Sequence, residues 1–92
     1  MILHIGETTV IKTDDIIGIF DLDTSTISKH TRNYLNKAQR DGEVISVTYD
    51  LPKSFIVCRS KETKSGKIIY LSQISAQTLL KRSGFIGENY LD

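Results

Sequence analysis

The sequence predicts a small α+β domain with a mostly antiparallel β-sheet core, one longer amphipathic helix and one short C-terminal helix. Several apolar runs of four to six residues are too short for helices and suit strands. A stretch near residues 26–41 instead has helical periodicity. The 92 residues are enough for one core. We therefore expect a single domain over residues 1–85 and an acidic tail over residues 86–92.

The apolar runs in the N-terminal part of the sequence predict three short strands. Residues 2–5 and 10–11 are apolar and are joined at Gly6–Glu7, and the third apolar run covers residues 16–20. The aspartates that follow this run resemble the start of a calcium loop. No glycine and no terminal glutamate follow at EF-hand spacing, so we reject a calcium site.

The longer helix is predicted from Thr26 to Asp41, with Thr24 or Ser25 as its N-cap and Gly42 just past its end. One stripe at helical spacing is expected to face the core: Ile27, Thr31, Tyr34, Leu35 and Ala38. The opposite side is basic. Such a basic face is usually only solvated, and no second helix follows closely enough for a helix-turn-helix.

Residues 44–57 predict a β-hairpin whose turn, Asp50 to Lys53, contains the only proline of the chain, Pro52. Lys53 would then project from a rigid tip. Beyond it, the sequence predicts a polar turn over residues 59–66, a strand over 67–72 and a short helix over 75–82 that is capped by Ser75.

The apolar runs at 16–20, 55–58 and 68–71 do not alternate with polar residues, which is typical of strands buried on both faces. Two helices of these lengths can hardly cover both faces of the sheet. We therefore expect a second copy of the chain to cover the surplus apolar face, giving a homo-oligomer. The predicted interface residues are Phe55, Ile56, Ile69 and Tyr70.

Charge is distributed unevenly along the chain, although its net value is only +1. Residues 1–26 carry −4, whereas residues 27–82 carry eleven Lys and Arg against four acidic residues, or +7. Such a domain can present a cationic face to a polyanion such as DNA, or its lysines can simply be solvated. The candidate DNA contacts are Lys53, Arg59, Lys29, Arg32, Lys37 and Arg40.

No residue pattern predicts an enzyme. The two histidines are far apart in sequence, and the single cysteine, Cys58, lies in an apolar strand as a buried hydrophobe would. We therefore predict no catalytic residue, metal site, cofactor or small-molecule substrate. No apolar run approaches the roughly 20 residues that span a bilayer, and the N-terminus lacks signal-peptide features, so we expect a cytoplasmic protein.

A set of motifs in a particular order carries a family resemblance. These motifs are Ile5-Gly6, Asp15 to Leu22, Arg40-Asp41-Gly42, Leu51 to Val57, and Ile69 to Ser72 followed by Ser75-x-x-Thr-Leu-x-x-Arg82. The chain resembles the RemA/RemB extracellular-matrix regulators of Gram-positive bacteria, most closely the RemB branch, over essentially residues 1 to 85. The resemblance implies a transcription regulator of biofilm-matrix and osmoprotection genes. In the RemA branch, such proteins form rings that engage DNA on their outer surface.

The predicted tip departs from the family pattern. The RemA branch uses an arginine-rich cluster there, whereas this chain has Tyr49 to Ser54, in which only Lys53 is positive and Asp50 opposes it. Two functions remain in view. The first is a regulator that binds double-stranded DNA through phosphate contacts from a ring-shaped homo-oligomer. The second is a ring-forming adaptor that modulates other regulators without touching DNA.

Overall fold

The computed structural model describes residues 1–22 and 28–84. Its elements confirm the α+β class. In chain order they are β1 (Ile2–Gly6), β2 (Thr9–Lys12), a 3-10 turn (Thr13–Asp15), β3 (Ile16–Asp21), α1 (Lys29–Arg40), β4 (Val44–Ser46), β5 (Ser54–Arg59), β6 (Lys67–Ser72) and α2 (Ala76–Ser83). The predicted acidic tail lies outside the described residues.

The strands form two sheets. β1 and β2 make an antiparallel pair, and the other four strands form a sheet in the order β3-β5-β6-β4. The pairs β3–β5 and β5–β6 are antiparallel, whereas β4 runs parallel to β6. β5 and β6 are therefore the central strands, and β3 and β4 are the two edges.

The predicted hairpin over residues 44–57 is wrong. Val44 lies opposite Ile69 of β6, so β6 separates β4 from β5. The true hairpin joins β5 to β6 through the polar turn, where the Ser60 amide donates to the Gly66 carbonyl at 2.8 Å. The Asp and Pro residues of the 47–53 loop permit a change of chain direction, but they do not choose a strand partner. The apolar β6 takes that place because it can be buried between two strands.

Helix α1 starts later than predicted. Ser28 has extended backbone angles, and its hydroxyl accepts a hydrogen bond from the Thr31 amide at 3.1 Å, so Ser28 is the N-cap. The predicted caps Thr24 and Ser25, with Ile27, lie outside the described residues. Two other predictions of helix ends are confirmed. Gly42 follows α1 with φ +74°, and the Ser75 hydroxyl caps α2 by accepting from the Thr78 amide at 3.2 Å.

The two faces of the four-stranded sheet are covered by different elements of the same chain. On the β1–β2 face, β1, β2 and α2 pack around a buried cluster of Leu3, Ile5, Ile11, Ile56, Cys58 and Leu79. On the α1 face, Ala38 of the helix packs with Phe55, Val57 and Ile69. β5 is accordingly buried from Ser54 to Cys58, as the uniform apolar run predicted.

Two buried serines tie the end of the sheet to its surroundings. The Ser72 hydroxyl donates to the Ile5 carbonyl at 2.6 Å and accepts from the Ile74 amide at 3.0 Å. The Ser54 hydroxyl donates to the Ile74 carbonyl at 2.7 Å. Because a buried hydroxyl without a partner is costly, these bonds fix how β1 and the start of α2 sit on the sheet.

Candidate nucleic-acid interface

The outward side of α1 carries a row of exposed cations. Thr31, Leu35 and Ala38 turn toward the sheet, so at 100° per residue the opposite side points to solvent. The exposed basic residues there are Lys29, Arg32, Lys37 and Arg40. They extend over all 12 residues of α1, and the distance along the axis from Lys29 to Arg40 is about 16 Å. Tyr34 was predicted to face the core but is 41% exposed, because it lies over the margin of the sheet beside β3.

The charge of α1 is all of one sign. No Asp or Glu occurs between Lys29 and Arg40, and the first turn contains no acidic residue. Lys37 and Arg40 in the last turn complement the helix dipole, whereas Lys29 in the first turn opposes it. Cations at both ends of the helix give its whole outward side a positive potential, which suits contact with phosphates.

One of the four helix cations has an acidic partner. Lys37 Nζ lies 2.9 Å from Asp41 Oδ2, one turn further along the chain. This hydrogen bond, with the attraction between the charges, raises the pKa of Lys37 and lowers the pKa of Asp41. Both side chains are exposed, so the pair adds little to folding stability but reduces the charge that Lys37 offers to an anion.

Lys53 lies immediately before β5, not at a hairpin tip. Its amide donates to the Ser72 carbonyl and its carbonyl accepts from the Leu22 amide, each at 2.8 Å. These bonds continue the sheet on both sides of Lys53 and hold its backbone firmly. A rigid backbone at Lys53 was expected from a hairpin turn, whereas it comes from hydrogen bonds to the last residue of β6 and to the residue after β3. Alternation along the strand places residues 53, 55 and 57 on one side, the side covered by α1.

Arg59 lies at the other end of β5. Six residues of strand separate it from Lys53, about 20 Å at roughly 3.3 Å per residue. Its guanidinium donates to the Asp14 carbonyl at 3.0 Å and lies 3.4 Å from Asp15 Oδ1. The structure therefore does not bring Arg59 together with Lys53, and it gives Arg59 a local structural partner.

The predicted interface residues are mostly core residues of one chain. Phe55, Ile56 and Ile69 are 4%, 0% and 1% exposed, so they cannot contact a second copy while this fold is kept. Tyr70 is half-buried on the β1–β2 face, where burial raises the pKa of its hydroxyl. The faces that seemed uncovered in the sequence are covered by α1, α2 and the β1–β2 pair, so this argument for assembly fails, although the assembly itself stays a prediction.

Sequence reasoning missed the exposed apolar residues of the 47–53 loop, Tyr49 and Leu51, because it assigned them to a strand and its turn. They are 105% and 88% exposed. The available signal was two large apolar residues on either side of Asp50, in a stretch with turn chemistry.

Other chemistry in the described part of the chain is sparse. Burial raises the pKa of the Cys58 thiol to about 11, so this thiol is protonated at neutral pH. Over residues 1–22 and 28–84, no three side chains of the metal-binding types lie together. Among the same residues, neither helix is long and apolar enough to cross a membrane.

Comparison with known proteins identifies the family of the chain. Residues 2–82 match the RemA-like family model, described as extracellular matrix regulatory protein A-like, and the chain belongs to this family of regulatory proteins. It is similar to extracellular matrix regulatory protein B of Bacillus subtilis (strain 168), with 33% identity over 88 residues that cover 96% of each chain. The resemblance seen in the ordered motifs is thereby confirmed.

Proposed function

We propose that this protein is a DNA-binding transcriptional regulator that acts in the cytoplasm on biofilm-matrix genes, as a ring-shaped homo-oligomer. One observation carries the proposal: the outward side of α1 presents exposed cations and no acidic residue. Strand alternation extended back from Phe55 and Val57 puts the exposed Lys53 on the face of the sheet that α1 covers. Membership of a matrix-regulator family supports a regulatory role over a catalytic one.

The contacts are made mainly to phosphates. Lys and Arg side chains that radiate from one exposed surface fix the position of a duplex but carry little sequence information. If Lys53 and the three α1 cations other than Lys37, which is paired with Asp41, each neutralise one phosphate, log affinity falls against log salt concentration with a slope of about −3.6 per subunit. Repetition of this surface around a ring then supplies avidity.

Lys53→Ala tests the surface, with Lys64→Ala as the matched control. Both lysines are exposed, but Lys64 lies in the polar turn between β5 and β6. Each variant is titrated with duplex DNA at two salt concentrations. Lys53→Ala should weaken binding and make the salt slope about 0.9 less negative, whereas Lys64→Ala should change neither. Thermal stability should be unaltered in both, since an exposed charge contributes little to folding.

Equal losses in the two variants, or no loss at Lys53, would remove Lys53 from the surface. Arg32→Ala on α1 then decides whether the helix alone binds DNA. Competition between a promoter fragment and random duplex should show modest discrimination per subunit. Tight binding of a short specific site by a single chain would contradict the phosphate-contact mechanism.

A ring-forming adaptor that modulates other regulators is the second candidate function. The exposed Tyr49 and Leu51 favour it, because apolar side chains at this position suit protein contacts better than phosphate contacts. A gel shift over a range of salt concentrations separates the two functions, since the adaptor would show no salt-dependent binding. Light scattering with and without DNA reports assembly in either case.

A further inference from the structure

The 47–53 loop presents two apolar side chains on an ordered backbone. Tyr49 and Leu51 are 105% and 88% exposed, so nothing in the described part of their own chain covers them. Side-chain hydrogen bonds that hold the loop include Ser46 Oγ to the Thr48 carbonyl at 2.9 Å, the Asp50 amide to Thr48 Oγ1 at 3.0 Å, and Thr48 Oγ1 to Gln73 Oε1 at 2.8 Å. A loop ordered in advance loses little conformational freedom when it docks.

An apolar groove lies between α1 and the edge strand β3. Its walls are formed by Ile17, Phe20 and Tyr34, which are 53%, 46% and 41% exposed, with Phe55 and Val57 beneath. Its volume is about 360 Å³, near the low end of the roughly 300–1,000 Å³ of ligand pockets. A groove of this size suits one or two side chains. The basic residues that line it are His30 and Lys67.

Local backbone features shape this groove. Ile17 is the extra residue of a bulge, since Ile16 pairs with Cys58 and Gly18 pairs with Val57. A Cβ on Gly18 would lie 2.6 Å from the Phe20 ring, so only glycine lets that ring lie over the strand. There Phe20 stacks on Phe55, with ring centroids 4.9 Å apart. The groove is thus a formed surface on an edge strand.

We propose that the 47–53 loop of one copy docks into the β3 groove of the next copy. Tyr49 and Leu51 enter the groove, and Asp50 between them faces Lys67 and His30. The proposal rests on the homo-oligomer of the proposed function, and it names the two surfaces that meet.

Charge and position favour a second copy as the occupant. The loop carries an exposed acid between its apolar residues, and the apolar groove has Lys67 and His30 among its lining residues, so the surfaces are complementary in charge as well as polarity. The loop joins β4 to β5 at one end of the sheet, whereas the groove lies along β3 beside α1, so the two are different surfaces of the chain. Contact between two different surfaces is heterologous, and its repetition generates a ring or a filament.

This arrangement leaves the basic surface free. On α1 the groove uses His30, Thr31 and Tyr34. None of the four exposed α1 cations lines the groove, so docking leaves them available to DNA. Tyr49 to Leu51 would serve subunit contact, while the α1 cations and Lys53, where the loop meets β5, serve DNA.

Paired cysteines test the contact directly. In the full-length protein, Leu51→Cys and Ile17→Cys are made singly and together, and each sample is oxidised and run on a non-reducing gel. The double variant should form a ladder of covalent multimers, because each copy then has one cysteine on its loop and one in its groove. Each single variant should remain a monomer on the gel, and the native Cys58, 3% exposed, should not react. Efficient dimers of Leu51→Cys alone, or a double variant without a ladder, would overturn the proposal.

Exchange of charges gives a second, reversible test by light scattering. Asp50→Lys and Lys67→Asp should each weaken assembly by about 2- to 5-fold, and combining them should restore it. Lys64→Asp, which changes an exposed lysine outside the groove, should have no effect. Tyr49→Ala should weaken assembly about 10-fold or more, since buried aromatic anchors dominate interfaces. Additive losses in the exchanged pair would contradict the contact.

Two further outcomes distinguish this proposal from a different occupant of the groove and from the proposed DNA-binding function. If substitution of Tyr90 and Leu91, but not of Tyr49, changes the assembly, the chain's own C-terminal residues fill the groove and the loop does not. DNA binding is measured separately by gel shift. Failed cross-linking with intact DNA binding overturns only the docking, whereas intact cross-linking without DNA binding overturns only the proposed function.

Discussion

The two faces of the four-stranded sheet differ in how completely they are covered. On the β1–β2 face, Ile5, Ile56 and Leu79 are 0% exposed, and the Ser72 hydroxyl links the layers at 2.6 Å. On the α1 face, one helix covers the centre of the sheet but leaves Phe20 and Tyr34 about half exposed at the β3 edge. The first face is fully buried at its centre, whereas the second has both a groove and a basic surface.

This difference indicates which face stabilises the fold and which face is free to interact with partners. Burial of apolar area is the main favourable contribution to folding, so the fully covered β1–β2 face holds the domain together. The α1 face is buried at its centre but half exposed at the β3 edge, so the residues of that edge and of the outward side of α1 can change with little effect on folding. The predictions below test this division.

The largest expected effect is on the β1–β2 face. Ile5→Ala should lower the free energy of unfolding by about 2–5 kcal/mol, because it leaves a cavity in a closed cluster. Ile2→Ala in the same strand removes the same atoms from a side chain that is 63% exposed, so its effect should stay within about 0.5 kcal/mol. Urea unfolding measures both. Similar losses at the two positions would mean that the β1–β2 pair is not a packed layer.

Titration of the Cys58 thiol tests whether the β1–β2 face stays closed in the folded protein. Burial raises its pKa from an ordinary 9.0 to about 11, so folding favours the protonated thiol. This stabilisation is complete below the unfolded pKa and is lost as pH rises through the folded pKa. The alkylation rate of the folded protein should therefore rise with a midpoint near pH 11, against about 9 for the urea-unfolded chain. A midpoint near 9 in the folded protein would show that this face opens readily.

Much of the fold could be predicted because local chemistry decides it. The short apolar runs at residues 2–5 and 16–20 form strands, and Gly42 and Ser75 mark helix ends through their own backbone and side-chain geometry. Strand pairing could not be predicted in the same way. The Asp-Leu-Pro stretch permits a turn between β4 and β5, but the insertion of β6 between them depends on contacts distant in sequence.

The candidate site was predictable in part for the same reason. Helical periodicity alone places Lys29 and Arg40 outward, and the structure agrees. Periodicity cannot reveal that Phe55 and Ile56 are covered on both sides, since the cover comes from β1, α1 and α2. Nor can it show that Arg59 has Asp14 and Asp15 beside it, because that contact joins residues more than 40 positions apart.

The smallest expected effect sharpens the role of the α1 face. Asp41→Asn removes the partner of Lys37 while leaving both residues exposed, so urea unfolding should change too little to resolve. DNA affinity should rise, and its salt slope should become more negative by up to about 0.9, because one further cation becomes available to phosphate. Lys37 lowers the pKa of Asp41, so in the native protein the carboxylate stays charged through the ordinary carboxyl range as pH falls. The pair itself should therefore cause no step in affinity between about pH 5 and 8. Glu62→Gln is the control, since it removes the same charge from the polar turn, away from α1. If the two variants gain equally, net charge alone controls binding, and Lys37 is not a contact.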